Sequence, residues 1–361
     1  MHIPDQMTAA LLTGYGGYDK LTVRHDVPVP APKEGEVLIR IRACGVNNTD
    51  INTRKGWYDP SVTGGTDNDG IRQEVDQGGW SGGITFPRIQ GADVAGSIVA
   101  VGAGVTSARI GERVIVEPII RDPQAPDNPN RIAYLGSEWD GGFAQYLAIP
   151  AANAYAVRSD LSDAELATFP CSYSTAEHML TRIRLDDGDT LLVTGASGGV
   201  GSALVQLAKR RDATVLAVAS RSKQAAVTAL GADRVIDRQA DLKKALPQVW
   251  PEGRVDAVAD VVGGNGFPDL INALKRGGRY VTAGAIAGPM VTLDLRQLYL
   301  KDLEFQGATV LPRGLFSRLV GYIERDEIRP VLAGQFPLTD IRRVQEMFMT
   351  KTHVGNYVLQ P

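Results

Sequence analysis

LLVTGASGGVGSALVQLAK, residues 191–209, sets an apolar strand, a glycine turn and an amphipathic helix in immediate succession. Val200, Leu204 and Leu207 recur at the spacing of one helical face. Gly198 and Gly199 carry no Cβ to hold a diphosphate away from the backbone, and Gly201 lets helix and strand pack closely. The unpaired N–H groups at the start of such a helix, aided by its dipole, attract negative charge. Ala196 stands where the first glycine of the usual fingerprint falls, a departure that a tight turn still permits. Ala196, Ser197, Gly198, Gly199, Val200 and Gly201 are therefore the candidate phosphate-binding residues. The plainer alternative is a glycine-rich turn that holds no nucleotide. The strand before, the helix after and the units downstream favour the dinucleotide.

Downstream of this motif, apolar strands at TVLAV (214–218), DAVADVV (256–262) and RYVTAG (279–284) alternate with helical segments. That order predicts a doubly wound parallel sheet. Upstream the rhythm is different. EVLIRIRACGV (36–46) alternates apolar and charged residues as a half-buried strand does. DVAGSIVAVGAG and RVIVEP repeat the theme between glycine-rich turns. The change comes near residue 160, where Ser162 with Glu165, and Ser174 with Glu177, each have the spacing of a capping box that opens a helix. The chain ends in the strand-like GNYVLQP.

A dinucleotide site for NAD places an acid at the exit of its second strand, where it binds the ribose 2′-hydroxyl. Here that exit reads ASRSKQ, with no acid before Asp233. Ser220, Arg221 and Lys223 offer donors and positive charge to a 2′-phosphate instead, which points to NADPH over NADH. A solvated basic turn is the alternative.

Bulk properties narrow the class. A length of 361 residues suits two domains, and 43% hydrophobic with 22% charged residues is a soluble globular composition. A formal charge of −3 offers no basic surface for nucleic acid, and no apolar run is long enough to span a bilayer. MHIPDQMTAALL lacks the basic start and apolar core of a secretory signal, and Cys44 and Cys171 are too few for a disulfide framework. A cytoplasmic location is expected. Two long loops stand out: residues 59–86, with seven glycines and five acids, and residues 121–140, with Pro123, Pro126 and Pro129 before GSEWD. Loops of that length serve as lids or are tolerated insertions.

Several stretches together resemble the medium-chain dehydrogenase/reductase superfamily over nearly the whole chain. They are GADVAGSIVAVGAGVTSARIGERVIV (91–116), DGGFAQYLAIPAAN (140–153) and ATFPCSYSTAEHML (167–180). The resemblance implies an α/β protein with a GroES-like β-rich catalytic domain at 1–158 and a Rossmann NADP-binding domain at 159–311. Residues 312–361 then return to the catalytic domain. Zinc-dependent members carry a cysteine, a histidine and a third ligand at positions that here read Asn47, Ala92 and Cys171. One thiol cannot hold zinc, and the four-cysteine structural lobe has no counterpart. No zinc is expected.

VNNTDINTRKGWY (46–58) instead resembles the zinc-free quinone oxidoreductase-like branch. By that resemblance Tyr58 is the candidate hydrogen-bond and proton donor at the substrate carbonyl, with Asn47 or Asn52 orienting it. Thr175 lies beside the nicotinamide-side phosphate, and Val261, Gly263, Gly284 and Ala285 meet the nicotinamide. A conjugated acceptor needs only such a donor, because charge spreads over its π system, whereas an isolated ketone asks for a stronger electrophile. The expected activity is NADPH-dependent reduction of a quinone or α,β-unsaturated carbonyl. An enoyl-thioester reductase, a zinc-free alcohol dehydrogenase-like protein and an NADPH-binding module without turnover are the alternatives. Trp57, Trp80 and Trp139, in or beside the long loops, suit a planar substrate. KDLEFQGATVL (301–311) resembles the edge through which the family forms homodimers.

Overall fold

The computed structural model describes residues 2–66, 75 and 78–361. Residues 67–74 and 76–77 of the long acidic loop, on which the lid expectation falls, lie outside the described residues.

The alternating segment forms one strand, Glu36–Val46, and it is the spine of a seven-stranded sheet. Asp93–Val101 pairs antiparallel along one side of it, and Tyr146–Pro150 also pairs with it. The last strand, Asn356–Gln360, lies antiparallel along the other side, so the C-terminus completes the sheet that the N-terminal part begins. Two registers matter for function. Gly45 sits opposite Asp93, and Val46 sits opposite Tyr357. The strand end therefore brings Asn47, Asp93 and Asn356 to one place. A Cβ on Gly45 would lie 2.8 Å from Asp93 Oδ2, so only glycine allows this approach.

The second sheet has six strands in the order Arg234–Asp237, Thr214–Ala219, Thr190–Val193, Val255–Asp260, Leu274–Thr282 and Glu304–Gly307. All five pairings are parallel. In sequence order this is 3-2-1-4-5-6, the doubly wound arrangement, with its topological switch beside Thr190–Val193. The helix Gly199–Lys209 follows that strand, with Leu204 and Leu207 fully buried and Val200 packed against the same core. Arg234–Asp237 is too short and too polar to announce itself by periodicity, and it is recognisable only from its parallel partner.

Two local expectations are corrected. Ser162 and Glu165 do form a capping box, at the start of Asp163–Leu166. Ser174 and Glu177 do not, because their helix begins earlier and runs Pro170–Arg182. Proline preorganises its first turn, and the Ser174 hydroxyl donates back to the Pro170 carbonyl from inside the helix. The 121–140 segment is not wholly a loop either: Ile119–Arg121 and Ile132–Tyr134 pair as an antiparallel hairpin.

Candidate active site at the mouth of the parallel sheet

The phosphate loop follows its strand through Gly195, whose φ of +58° favours glycine, and Ala196 is buried within the turn. A Cβ on Gly201 would strike the Gly195 carbonyl and come within 2.7 Å of Ala196 Cα. Helix and turn touch there, as the motif requires. Gly198 is the open position, its nearest neighbour to a Cβ being the Gly195 carbonyl at 3.5 Å. Gly199 differs from expectation. The space beside it is filled by the Ser172 hydroxyl and by Asn356 Oδ1, 2.7 Å from an ideal Cβ. Its bareness serves protein packing, because the last strand crosses over the loop: Gly355 N–H donates to the Ser197 carbonyl at 3.0 Å.

At the exit of Thr214–Ala219, Ser220 precedes the short turn Arg221–Lys223. The Arg221 side chain is 87% exposed and pairs with Asp237 at 3.3 Å. Lys223 Nζ donates to the Lys351 carbonyl at 2.5 Å. Burial lowers its pKa, and the neighbouring Arg238 lowers it further. The candidate cations are thus gathered on one rim.

On the other side of the switch, Val261 and Gly263 follow one strand and Gly284 and Ala285 follow the next. Ala287 N–H donates to the Val262 carbonyl at 2.8 Å and Gly264 N–H to the Gly288 carbonyl at 3.0 Å, which ties the two loops together. Asp260 is the hub beneath them. It accepts from Thr194 Oγ1 at 2.5 Å, Tyr280 Oη at 2.7 Å and Val262 N–H at 2.9 Å. Sequence reasoning passed over this aspartate because nothing local marks a buried carboxylate.

Facing these loops is the strand-end cluster. Asn47 Nδ2 donates to Asp93 Oδ2 at 2.5 Å, and Asp93 Oδ1 accepts the Cys171 N–H. Asn47 Oδ1 accepts from Ser172 Oγ at 3.2 Å and from Asn356 Nδ2 at 3.3 Å. Asp50 accepts the Asn47 N–H at 2.8 Å and opens the helix Asn48–Lys55. Burial drives both carboxylates up to about 7, and for Asp50 the proximity of Asp93 adds to it. Burial raises the Cys171 thiol still more, and Asp93 reinforces the shift, so the thiol keeps its proton. Cys44 is a buried core residue, and His178, pushed down to about 4 by burial and then by Arg182, has a different neighbourhood.

Tyr58 follows the helix Asn48–Lys55 that Asn47 and Asp50 open. Its hydroxyl donates to Thr49 Oγ1 at 3.0 Å and lies within hydrogen-bond reach of Asn52. Burial, the largest influence, pushes this phenol up to about 12, so it is a proton-bearing donor at neutral pH. Asn52 Oδ1 accepts from Thr66 Oγ1 at 3.1 Å and Asn48 Nδ2 at 3.3 Å, and Thr66 N–H reaches the Ile286 carbonyl at 2.9 Å. Through Thr66, Asn52 is thereby linked to the loop that carries Gly284 and Ala285. Thr175 lies within hydrogen-bond reach of the Cys171 thiol. Trp57 packs edge-on to Tyr58 with centroids 5.7 Å apart, and Trp80 stacks on Tyr134 at 4.8 Å. Trp139 instead bonds the Ala148 carbonyl at 3.2 Å and joins the N-terminal core.

Residues 33–159 match the alcohol dehydrogenase GroES-like domain, and residues 199–325 match the zinc-binding dehydrogenase family. A crystal structure from Sinorhizobium meliloti 1021, carrying a provisional alcohol dehydrogenase name, superposes with a TM-score of 0.90 at 50% identity. It covers 99% of this chain and 98% of that one. The chain belongs to the medium-chain dehydrogenase/reductase superfamily. Among curated relatives, acryloyl-coenzyme A reductase of Metallosphaera sedula is 29% identical over 98% of this chain and 99% of its own. The NADPH-dependent alkenal/one oxidoreductase of Arabidopsis thaliana is 28% identical over 99% of this chain and 81% of its own.

This medium-chain dehydrogenase/reductase is thus an oxidoreductase of a family that works with a nicotinamide cofactor. Its residues fit one. Gly198 leaves backbone open at the start of an eleven-residue helix, and the paired loops line the switch point. The residues do not fit the zinc that the family name implies. Asn47 spends both ends of its amide on protein partners, Ala92 has no donor and Asp93 is engaged through both oxygens. Tetrahedral zinc needs three protein ligands, and among the described residues here only the Cys171 thiol is left for it.

Proposed function

We propose that the protein is a zinc-independent, NADPH-dependent oxidoreductase that reduces an α,β-unsaturated carbonyl or a quinone. The observation that carries this reading is the Asn47–Asp93 hydrogen bond at the position of the family's first metal ligand, with the proton-bearing Tyr58 phenol held by Thr49 nearby. When bound, NADPH supplies a hydride to the conjugated acceptor. Tyr58 provides the donor for the charge that then develops on oxygen, and it can yield its proton. Thr49 and Asn52 hold the phenol in place. Gly198 and the start of the following helix receive the diphosphate, Ser220, Arg221 and Lys223 the 2′-phosphate, and Val261, Gly263, Gly284 and Ala285 the nicotinamide. The alkenal/one relative supports a conjugated substrate and NADPH.

The acryloyl-coenzyme A relative favours a second reading, reduction of an enoyl thioester. NADPH oxidation over a panel of enones, quinones and enoyl-coenzyme A esters separates the two. Tight NADPH binding with no turnover on any of them would leave a binding module and sink the enzyme proposal. About one zinc per chain, lost together with activity on chelation, would overturn the metal-free claim.

A homodimer is also proposed. Met290 (67% exposed), Leu295 (63%) and Tyr299 (62%) are exposed apolar residues and Glu304–Gly307 is a sheet-edge strand, features suited to pairing with a second copy. Sedimentation at the mass of one chain counts against it. Two free, buried thiols suit the reducing cytoplasm proposed as its compartment, and no helix among the described residues is long and apolar enough to cross a membrane.

A further inference from the structure

The spine strand Glu36–Val46 changes partners part-way along one edge. Its residues 36–40 pair there with Tyr146–Pro150, and residues 44–46 pair with the last strand, Asn356–Gln360. Ile41 N–H still reaches the Gln145 carbonyl at 2.9 Å, and then Arg42 and Ala43 pass before the next pairing begins. The two neighbours part at that point, and a cavity of about 710 Å³ opens at the gap. Gln145 and Tyr146 line it from one neighbour and Gln360 from the other. None of its lining residues belongs to the candidate cofactor or catalytic set.

Register puts Arg42 in this gap. On the opposite edge Ile41 pairs with Gly96 and Ala43 with Ala95, so Arg42 is the extra residue of a β-bulge and has no counterpart on either neighbour. Bulges re-aim a side chain out of the regular alternation. The Arg42 side chain is exposed and has neither a hydrogen-bond nor an ionic partner among the described residues. Arg40 and Arg113 line the same cavity, against a single side-chain carboxylate, Asp163. That carboxylate is already matched. Arg113 Nε donates to it at 2.7 Å, and the other Arg113 nitrogens go to the Ser159 and Leu161 carbonyls at 2.9 and 2.5 Å. The lining side chains therefore keep an excess of positive charge, with Arg42 foremost. Gln335, Gln360 and Ser162 add neutral hydrogen-bonding groups. A pocket of this size and so polar a lining suits a small charged ligand, where an apolar one would find little to pack against.

We propose that this cavity binds a small anion bearing phosphate or carboxylate groups, gripped by the planar fork of Arg42. Arg40 and Arg42 leave the strand roughly 7 Å apart, so an anion between them is attracted by both and relieves their mutual repulsion. Ser162 and Asp163 line the cavity where the helix Asp163–Leu166 begins, on the crossover from the seven-stranded to the six-stranded sheet. A ligand here touches both the first sheet and that crossover. The site is separate from the cofactor groove and does not depend on which carbonyl the enzyme reduces.

The test is calorimetric titration of the whole protein with inorganic pyrophosphate and, separately, with citrate, in excess NADP⁺ to keep both anions out of the cofactor groove. Arg42→Ala is expected to weaken binding of at least one of them about tenfold, and Arg42→Lys to recover part of the loss by restoring charge without the fork. The truncation strands no partner, because the Arg42 side chain has none among the described residues. Arg42-dependent binding of pyrophosphate supports the site and assigns a phosphate-bearing ligand, and Arg42-dependent binding of citrate supports it and assigns a polycarboxylate. Affinity within about twofold of wild type in Arg42→Ala would overturn the inference. So would binding that appears only without NADP⁺ and survives Arg42→Ala, since that belongs to the cofactor groove. No binding of either anion to wild type up to about 10 mM would overturn it as well.

Discussion

The candidate phosphate loop and the Asn47 cluster meet at Gly199, yet they are specified in opposite ways. The loop Gly195–Gly201 is contiguous and acts through bare backbone. Its requirement is an absence of atoms, which Gly195 meets by its positive φ and Gly201 by its closeness to the Gly195 carbonyl. The cluster is drawn from four separate segments, contributing Asn47, Asp93, Cys171 with Ser172, and Asn356, and it acts through side chains that complete one another. In the contiguous loop a change at Gly201 meets fixed backbone and is tolerated least, whereas Gly198 stands open. The composite cluster closes on itself through hydrogen bonds among these side chains.

The comparison can be broken first at the loop. Gly201→Val should cost about 3 kcal/mol or more, because the added atoms meet backbone that cannot yield. A melting temperature within a degree or two of wild type would show that the loop can shift. In the cluster, Asp93→Ala strands the Asn47 amide and the Cys171 N–H in a buried site, at a cost of about 2 kcal/mol in denaturant titration. A loss as large as that of Gly201→Val would erase the proposed difference in tolerance.

The cluster also has a pH signature. Asp50 and Asp93 bind protons more tightly in the folded protein, near 7, than in the unfolded chain, near 4. Their stabilising contribution is complete below pH about 4 and is lost as pH rises to about 7. Asp93→Asn should flatten that fall relative to wild type, as read from urea midpoints between these pH values. A steeper fall in the variant would reverse the assignment.

Smaller effects sharpen the comparison on the functional side. Tyr58→Phe is expected to lower kcat about thirtyfold, about 2 kcal/mol in the barrier, with KM for NADPH unchanged. A change confined to KM would make Tyr58 a packing residue of the Trp57 pair. Arg221→Ala should weaken NADPH about fivefold relative to NADH, and less at high salt, because its side chain is mostly exposed. Equal loss for both cofactors would mean that the basic rim does not read the 2′-phosphate.

What was legible followed from range of interaction. The alternation of residues 36–46 gave a strand of the same span, and the TGASGGVG turn with its flanks gave the parallel sheet. Ser162 and Glu165 capped their helix because that motif closes within four residues. Ser174 and Glu177 carry the same spacing and failed, since Pro170 had already started the helix upstream. Ser172, Asn356 and Asp260 left no local trace at all. Their roles arise from neighbours that are tens to hundreds of residues away, such as Thr194 for Asp260 and Asn47 for Asn356.

By itself, then, the sequence determined the two kinds of sheet, the bare backbone of the glycine turn and the presence of Asn47 and Ala92 where zinc-dependent relatives carry ligands. These depend on local periodicity, on the missing Cβ of glycine and on side-chain chemistry, each present in the letters. Only the tertiary structure decided that Asp93 would engage Asn47 and that Gly199 would make room for Asn356. Strand register and a crossing C-terminal strand made those choices, because a buried polar group is held by whatever donor or acceptor the fold brings within about 3 Å of it.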